Sequence, residues 1–212
     1  MMQHRAMDGV AIGSRAHVSF DDMERETRLE RLAQAARIIH DESPWFALRV
    51  MTGREFSVQE ALEVLGITAL VPQRKGPDLR RRHRVIPGSL QPVIYGYVLV
   101  QTDPSPEILV AFKGVQDVID VLGGAEKPMR VTAKEISRFK TMAEAGAYDW
   151  ERPSDLVLRL GETVRVKDGP FSSFMAVVVT PNAKGKGDVV VMVDILGGSV
   201  PMTVPLAILE KL

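Results

Sequence analysis

The hydrophobic positions near the start of the chain repeat with the period of an α-helix. Leu29, Leu32 and Ala36 fall on one side of such a helix, and Ser19 stands before them where a capping residue is favoured. This spacing predicts an amphipathic helix over Asp21–His40. Its apolar side can pack on the chain's own domain or receive a partner, and the pattern leaves both interpretations open.

Between Trp45 and Gly146 the pattern switches repeatedly between strand and helix periods. Capping boxes are predicted at Thr52–Glu55 and Thr132–Glu135, where a hydroxyl and a carboxylate satisfy the free amides of a helix start. The predicted elements are strand Trp45–Met51, a helix from Thr52 to Gly66, strands Ile67–Val71 and Tyr95–Gln101, a helix from Ser105 to Gly114, strand Val118–Leu122 and a helix from Thr132 to Gly146. This order predicts an α+β domain close to the split βαβ (ferredoxin-like) pattern, with an antiparallel sheet and its helices on one face.

The last quarter of the chain has the period of strands, with turn residues between its apolar runs. Val164 and Val166 alternate with polar residues, the turn Asp168-Gly169-Pro170 follows, and valine-rich strands come after it at Val177–Val179, Val189–Leu196 and Val200–Val204. These runs predict a small antiparallel β-barrel. We therefore predict an N-terminal extension over 1–43, the α+β domain over 44–146, a linker over 147–158 and the barrel over 159–212.

Composition narrows the possible chemistry. The chain has no cysteine, and its four histidines are scattered without metal-ligand spacing. The glycine and lysine run at 182–187 lacks the order of a phosphate-binding loop. We therefore predict no catalytic residue, no metal, no cofactor and no enzymatic activity. No apolar run approaches the ~20 residues of a membrane span, so a cytoplasmic protein without a membrane partner is expected.

The formal net charge is zero, but basic residues are concentrated in one stretch. This stretch has a single acid inside it, Asp78, and it contains Arg74, Lys75, Arg80, Arg81, Arg82 and Arg84. Such a run can neutralise the phosphates of a nucleic acid, with an affinity that falls steeply as salt rises. The alternative is a solvated loop without a partner.

Several short motifs, in one order and at one spacing, resemble the NusG family of transcription elongation and antitermination factors. They cover about four fifths of the chain and read Trp45-Phe46-Ala47-Leu48, Gly53, Val71-Pro72, Gly96-Tyr97-Val98-Leu99-Val100, Gly161-Glu162-Thr163-Val164-Arg165-Val166 and Asp168-Gly169-Pro170-Phe171. The last two resemble the KOW motif. The resemblance implies a family N-terminal (NGN) domain followed by an SH3-like KOW barrel, which together regulate pausing or termination.

The same resemblance implies binding surfaces. The family's N-terminal domain grips the clamp helices of RNA polymerase, which corresponds here to Phe46, Ile94, Tyr95 and Tyr97. Its basic loop faces the nucleic acid of the elongation complex or the rim of the polymerase cleft. Its KOW domain binds a small ribosomal protein or the termination factor Rho, and the corresponding partner-binding residues here are Phe171, Phe174, Ile195 and Leu196.

The sequence departs from the family pattern at that last corner, where Ile195-Leu196-Gly197-Gly198 stands in place of Ile-Phe-Gly-Arg. Aromatic residues and arginine are the types most enriched in binding hot spots, so their loss puts binding to Rho or the ribosomal protein in doubt. Together with the N-terminal extension, this departure indicates a specialised paralogue. The alternative function is an RNA-binding or ribosome-associated KOW module.

Overall fold

The fold is described from a computed structural model, which describes residues 19–40, 43–82, 84–181, 185–195 and 198–212. The helices are α1 (Phe20–Ala36), α2 (Glu55–Val64), α3 (Pro106–Ala111) and α4 (Ala133–Glu144), and 3₁₀ turns lie at Phe112–Gly114 and Leu206–Ile208. The strands are β1 (Trp45–Val50), β2 (Ala69–Leu70), β3 (Gln73–Lys75), β4 (Leu79–Arg81), β5 (Arg84–Ile86), β6 (Leu90–Pro92), β7 (Tyr97–Gln101), β8 (Val118–Val121), β9 (Arg130–Val131), β10 (Thr163–Val166), β11 (Met175–Thr180), β12 (Asp188–Ile195), β13 (Gly198–Pro205) and β14 (Leu209–Lys211).

The first sheet is antiparallel and has the order β2-β7-β1-β8, with β9 also paired to β1. Successive side chains of a strand point to opposite faces, and β1 is buried on both. Phe46 and Leu48 point into a core beneath α1, α2 and α3, which we call the helix-side core. Ala47 points into a second core on the other face of the sheet. We refer to residues 44–146, with α1, as the N-terminal unit.

Helix α1 belongs to this unit by packing. Its Leu32 is buried in the helix-side core, Leu29 and Ala36 pack against that core, and Arg25 Nε donates to the carbonyl oxygen of Gly114 at 3.1 Å. Ser19 caps the helix by accepting a hydrogen bond from the Asp22 amide at 3.4 Å. The interpretation that the apolar side of this helix packs on its own domain is confirmed. The helix spans Phe20–Ala36 and ends four residues before the predicted His40.

The helices lie on both faces of the first sheet, and the prediction of a single helix-covered face was wrong for α4. Its inward residues Ile136, Phe139 and Ala143 belong to the second core, together with Ala47 and Leu99. The period of the α4 stripe correctly identified the buried side of this helix. It carried no information on which side of the sheet that helix would cover.

The second sheet is also antiparallel, with the order β13-β12-β11-β10-β14. The inward residues of β12, Val189, Val191, Val193 and Ile195, are buried and alternate with outward ones. The 3₁₀ turn after Pro205 carries the chain from one edge strand to the other. Among the described residues no ladder joins β13 to β14, so the predicted barrel is an open sheet by its hydrogen bonds. We refer to residues 159–212 as the C-terminal unit.

One of the two predicted capping boxes forms. Thr132 Oγ1 accepts from the amide of Glu135 at 3.2 Å, and Glu135 Oε2 accepts from the amide of Thr132 at 3.0 Å. At α2 the prediction was wrong, because the helix begins at Glu55 after Arg54, which makes no side-chain cap. The Glu55 carboxylate instead accepts hydrogen bonds from the amide of Gly53 and from the distant amide of Gly96.

In the part of the chain that the structure describes, no helix combines the length and the apolar character needed to cross a membrane.

Candidate functional site

The aromatic strand β7 is held in place by the buried carboxylate of Glu55. Glu55 Oε1 accepts hydrogen bonds from the amide of Gly96 at 2.7 Å and from the amide of Gly53 at 3.1 Å. The amide of Val50 donates to the carbonyl oxygen of Gly96 at 2.8 Å. Gly96 has φ +80°, a left-handed conformation that glycine adopts without a steric penalty. These bonds fix the turn from which Tyr97 enters the sheet.

The structure brings three of the four predicted polymerase-binding residues to one side of the N-terminal unit. Ile94 and Tyr97 belong to the second core, and Tyr95 beside them is half-buried. Phe46 lies in the helix-side core, beneath the helices on the opposite face of the sheet. It therefore cannot share a surface with Tyr97 while the domain remains folded.

A turn of the C-terminal unit covers the Tyr97 side of the sheet. The Phe171 ring is fully buried, and its centroid lies 4.9 Å from that of Tyr97, with the two planes inclined at 71°. Gly169 has φ +86°, and a Cβ atom placed there would lie 3.2 Å from the ring of Phe139. The turn therefore rests directly on β7 and α4, and the second core is shared between the two units. We call it the shared core.

Polar contacts surround this turn. Arg138 Nη2 lies 2.8 Å from Asp168 Oδ1, and Ser172 Oγ donates to Glu135 Oε1 at 3.0 Å. Burial, and after it the carboxylate of Asp168, raises the pKa of the Tyr148 hydroxyl well above its usual range. Partial burial alone would raise the pKa of Glu135, but the hydrogen bonds from Thr132 and Ser172 outweigh it and lower that pKa.

A second polar contact between the units involves a buried arginine. The side chain of Arg74 on β3 is fully buried, and its Nη2 atom lies 2.6 Å from Asp188 Oδ2 on β12. The guanidinium carbon lies 5.9 Å from the ring centroid of Tyr95 and 5.7 Å from that of Trp150. Burial alone would lower the pKa of Arg74, but the carboxylate of Asp188 overcomes it and raises that pKa.

The predicted linker is bound to the N-terminal unit along part of its length. The amide of Trp150 donates to the carbonyl oxygen of Lys75 at 2.9 Å, and the amide of Lys75 donates to Asp149 Oδ1 at 2.8 Å. Tyr148 and Leu158 are buried in the shared core. Trp150 also approaches the C-terminal unit, since a Cβ atom on Gly187 would lie 2.8 Å from its ring.

The remaining basic residues lie on a two-stranded ribbon formed by β4 and β5. Arg80 pairs with Val85 and Arg81 pairs with Arg84. All of these side chains are exposed, and so is Arg82 at the end of the ribbon. We call Arg80, Arg81, Arg82 and Arg84 the basic ribbon. Lys75 lies at its base in an ion pair of 3.2 Å with Asp78, whereas the buried Arg74 is separated from it.

Comparisons of the sequence with known proteins decide the family. A family model described as transcription termination factor nusG matches residues 43–140. The transcription termination/antitermination protein NusG of Pseudomonas aeruginosa is 30% identical over 184 residues, covering 79% of this chain and 97% of that protein. The chain belongs to the NusG family. The resemblance predicted from the sequence motifs is therefore confirmed.

Other NusG proteins are similar to this chain as well. NusG of Bacillus subtilis is 27% identical over 184 residues, covering 81% of this chain and 99% of its own. A solved structure described as a domain interaction in Thermotoga maritima NusG is 21% identical and covers 80% of this chain and 97% of that chain, with a TM-score of 0.41. As a member of the NusG family, the protein is a transcription termination/antitermination factor. Helix α1 precedes the residues matched by the family model.

Of the residues predicted to bind a KOW partner, the three that the structure describes lie in or against the shared core. Phe171 and Ile195 are buried in the shared core, and Phe174 is half-buried against it. Leu196 lies outside the described residues. Phe171 is buried because the turn of the C-terminal unit that carries it packs on Tyr97 of β7.

Candidate metal ligands are not grouped in the part of the chain that the structure describes. No group of three histidine, cysteine, aspartate or glutamate side chains there could hold a metal ion. His40 is exposed, and His4, His17 and His83 lie outside the described residues.

The sequence did not indicate the hydrogen bonds of Glu55 or the ion pairs of Asp168 and Asp188, which hold β7 and the two units in place. The contact of the linker with both units could have been expected from Trp150, since a tryptophan in a linker favours packing.

Proposed function

We propose that this NusG-family protein docks on RNA polymerase through the side of the N-terminal unit that carries Ile94, Tyr95 and Tyr97. The observation that supports this proposal is the chemistry of that side. It is apolar and aromatic, and it lies on the face of the sheet away from α1, α2 and α3. Aromatic residues are enriched at the centres of protein interfaces, where they supply much of the binding energy. The docked partner is the pair of clamp helices.

Docking would act physically, without chemistry on a substrate. A factor that binds a polymerase with a closed clamp more tightly than one with an open clamp shifts the population toward the closed state. The C-terminal unit, tethered through residues 147–158, would then present a second partner to the complex at high effective concentration. We assign the partner surface to the neighbourhood of Phe174, Ile195 and Leu196, with Rho or a small ribosomal protein as candidates. Such a factor would act in the cytoplasm.

The basic ribbon supports a nucleic-acid contact within the same complex. Its exposed arginines lie together on a two-stranded ribbon, where they can neutralise the phosphates of a nucleic acid. It also favours the second candidate function, a free-standing RNA-binding or ribosome-associated module. The two candidates differ in the surface that each requires, because only the first depends on the aromatic side of the sheet.

The test is the affinity of the full chain for a cognate elongation complex, measured by fluorescence anisotropy with a dye on a cysteine introduced at Leu212. The chain has no cysteine of its own, so labelling is specific. Tyr97→Asp is expected to reduce the affinity at least tenfold, because a charge then enters the apolar surface. Val64→Asp, on an exposed position of α2, is the matched control and is expected to have no effect.

Three results would count against polymerase docking. Wild-type protein that does not bind the complex would refute it. Equal binding by the Tyr97→Asp variant would move the docking surface elsewhere on the molecule. Binding to RNA alone, with a steep salt dependence and no added affinity for polymerase, would favour the RNA-module function.

A further inference from the structure

The outward side of β11, in the C-terminal unit, carries apolar side chains at positions where a solvated strand normally has polar ones. Met175, Val177 and Val179 are 41%, 43% and 42% exposed, whereas Ala176 and Val178 between them are buried in the shared core. An antiparallel sheet with one solvated face usually alternates apolar inward residues with polar outward ones. The polymerase docking proposed above makes no use of this outward side.

The neighbouring strands extend this apolar row into a patch. Val177 pairs with Met192 of β12, and Met192 pairs with Pro201 of β13, so the three side chains lie on one face of the sheet. Val190 alternates with the buried residues of β12 and lies on the same face as Met192. Contiguous exposed apolar patches with a polar rim mark interaction sites. We call these residues the outer patch: Met175, Val177, Val179, Val190, Met192 and Pro201.

Two opposite charges lie on either side of Met175. Arg165 of β10 is the cross-strand partner of Met175. On the other side, Ala176 pairs with Val193, and this register places Asp194 of β12 beside Met175. Both charged residues are exposed and point outward. Across β10, β11 and β12 the face therefore presents a positive, an apolar and a negative side chain in order.

We propose that the outer patch binds a second copy of this chain, in a dimer whose two-fold axis runs along β11. A half-turn about this axis places Met175 over its own copy and exchanges the two sides of the strand. Arg165 then faces the partner's Asp194, and Asp194 faces the partner's Arg165. The same patch is thus complementary to itself in both shape of charge and apolar content, as a two-fold interface requires. Two antiparallel sheets commonly pack face to face in this way, about 10 Å apart.

Arg165 is able to make this contact although it already has a partner within the chain. Its Nη1 atom lies 3.5 Å from Glu210 Oε1, and both side chains of this ion pair are exposed. Exposed ion pairs of this kind contribute little free energy, and a guanidinium group has several N–H donors to share. The partner's Asp194 can therefore bind the same guanidinium group without displacing Glu210.

The size of the outer patch sets the expected strength of the dimer. Six side chains form an interface smaller than the ~1,200 Å² at which stable complexes begin, and such interfaces belong to transient complexes. We expect a reversible dimer with a dissociation constant on the order of 100 μM. The measurement is sedimentation equilibrium of the full chain, over concentrations on both sides of this value.

A charge in the middle of the patch tests its apolar part. Val177→Asp is expected to weaken self-association by about tenfold or more, because the carboxylate would lose water against apolar side chains. Val64→Asp introduces the same charge at an exposed position of α2 in the N-terminal unit, and it is expected to leave self-association unchanged. Circular dichroism of each variant establishes that the fold is kept.

Exchanged charges test the two-fold arrangement. Arg165→Asp and Asp194→Arg each place like charges opposite one another, so each variant alone is expected to associate about tenfold more weakly than the wild type. An equal mixture of the two is expected to regain the wild-type affinity, because both contacts between unlike variants join opposite charges. The variant that carries both substitutions is expected to regain it as well. Lys134→Glu, at an exposed position of α4, is the control for a change of charge elsewhere.

Four results would overturn this inference. A wild-type protein that remains monomeric throughout the concentration range excludes the dimer. A dimer that Val177→Asp leaves intact uses another surface. Single charge variants that associate like the wild type, or a mixture of them that does not associate, contradict the two-fold contact of Arg165 with Asp194. Species that continue to grow with concentration also contradict it, because a two-fold interface closes at the dimer.

Discussion

Replacing Glu55 by alanine tests how the structure positions the aromatic strand. The carboxylate is 2% exposed and accepts two amide hydrogen bonds, of 2.7 Å from Gly96 and 3.1 Å from Gly53. Hydrogen bonds to a charged group contribute about 1.5 to 3 kcal/mol each, and a buried amide left unpaired costs about 1 to 3 kcal/mol. The gain from no longer burying a carboxylate offsets part of this loss. We expect Glu55→Ala to reduce the free energy of unfolding by about 2 to 3 kcal/mol.

The assay is urea unfolding followed by circular dichroism, where this loss lowers the midpoint by about 1 M for a slope of 2 to 3 kcal/mol per M. Glu55→Gln keeps an oxygen acceptor and is expected to lose about 1 kcal/mol. Thr52→Ala is the informative control, because the structure gives Thr52 no capping role at α2 and the expected change is within about 0.5 kcal/mol. A Thr52→Ala loss equal to that of Glu55→Ala would refute the reasoning and restore the capping box.

Three further predictions concern other contacts. Gly187→Ala, at φ +85°, would place a Cβ atom 2.8 Å from the ring of Trp150, whereas Gly161→Ala, at φ +77°, would place one in open space. We therefore expect Gly187→Ala to have the lower melting temperature, and equal melting temperatures would refute the clash. The pKa of Glu135 is lowered in the fold, so its ionised carboxylate stabilises the fold above the unfolded pKa of about 4.3, and this stabilisation is lost as pH falls through the folded pKa. The free energy of unfolding of Glu135→Gln should therefore fall less steeply with decreasing pH than that of the wild type, and an equally steep fall would contradict this. Arg80→Ala is expected to reduce the slope of log affinity for duplex DNA against log salt by about 1, and an unchanged slope would exclude a phosphate contact.

Sequence periodicity predicted the helices and the longer strands, because each has one side that must avoid water, but it did not predict the short strands β3 to β6, β9 and β14. It located α4 and the capping box at Thr132–Glu135 correctly. It failed at Glu55, since the capping rule considers only amides of the same helix. The amide of Gly96 lies 41 residues away and competes successfully for the same carboxylate. Local rules fail where a distant group offers a better hydrogen bond.

The candidate site was predicted in part for a related reason. The pattern of β7 indicates that Tyr97 faces a buried environment, but it does not say whether a partner or the chain itself buries it. Likewise, the sequence around Phe171 and Phe174 does not say which group covers either ring. The structure buries Phe171 completely, because the N-terminal unit lies over the turn. The periodicity of a strand predicts which of its side chains are buried, but the tertiary fold decides which group covers them.

Arg74 shows that a run of like charges in sequence need not form one surface. It is adjacent to Lys75 in a basic stretch, but both lie on β3, where neighbouring side chains point to opposite sides. Lys75 therefore remains in solvent, and Arg74 enters the contact with Asp188. The guanidinium group of Arg74 is therefore used inside the fold, and a phosphate contact of this stretch would fall to the exposed arginines of the basic ribbon.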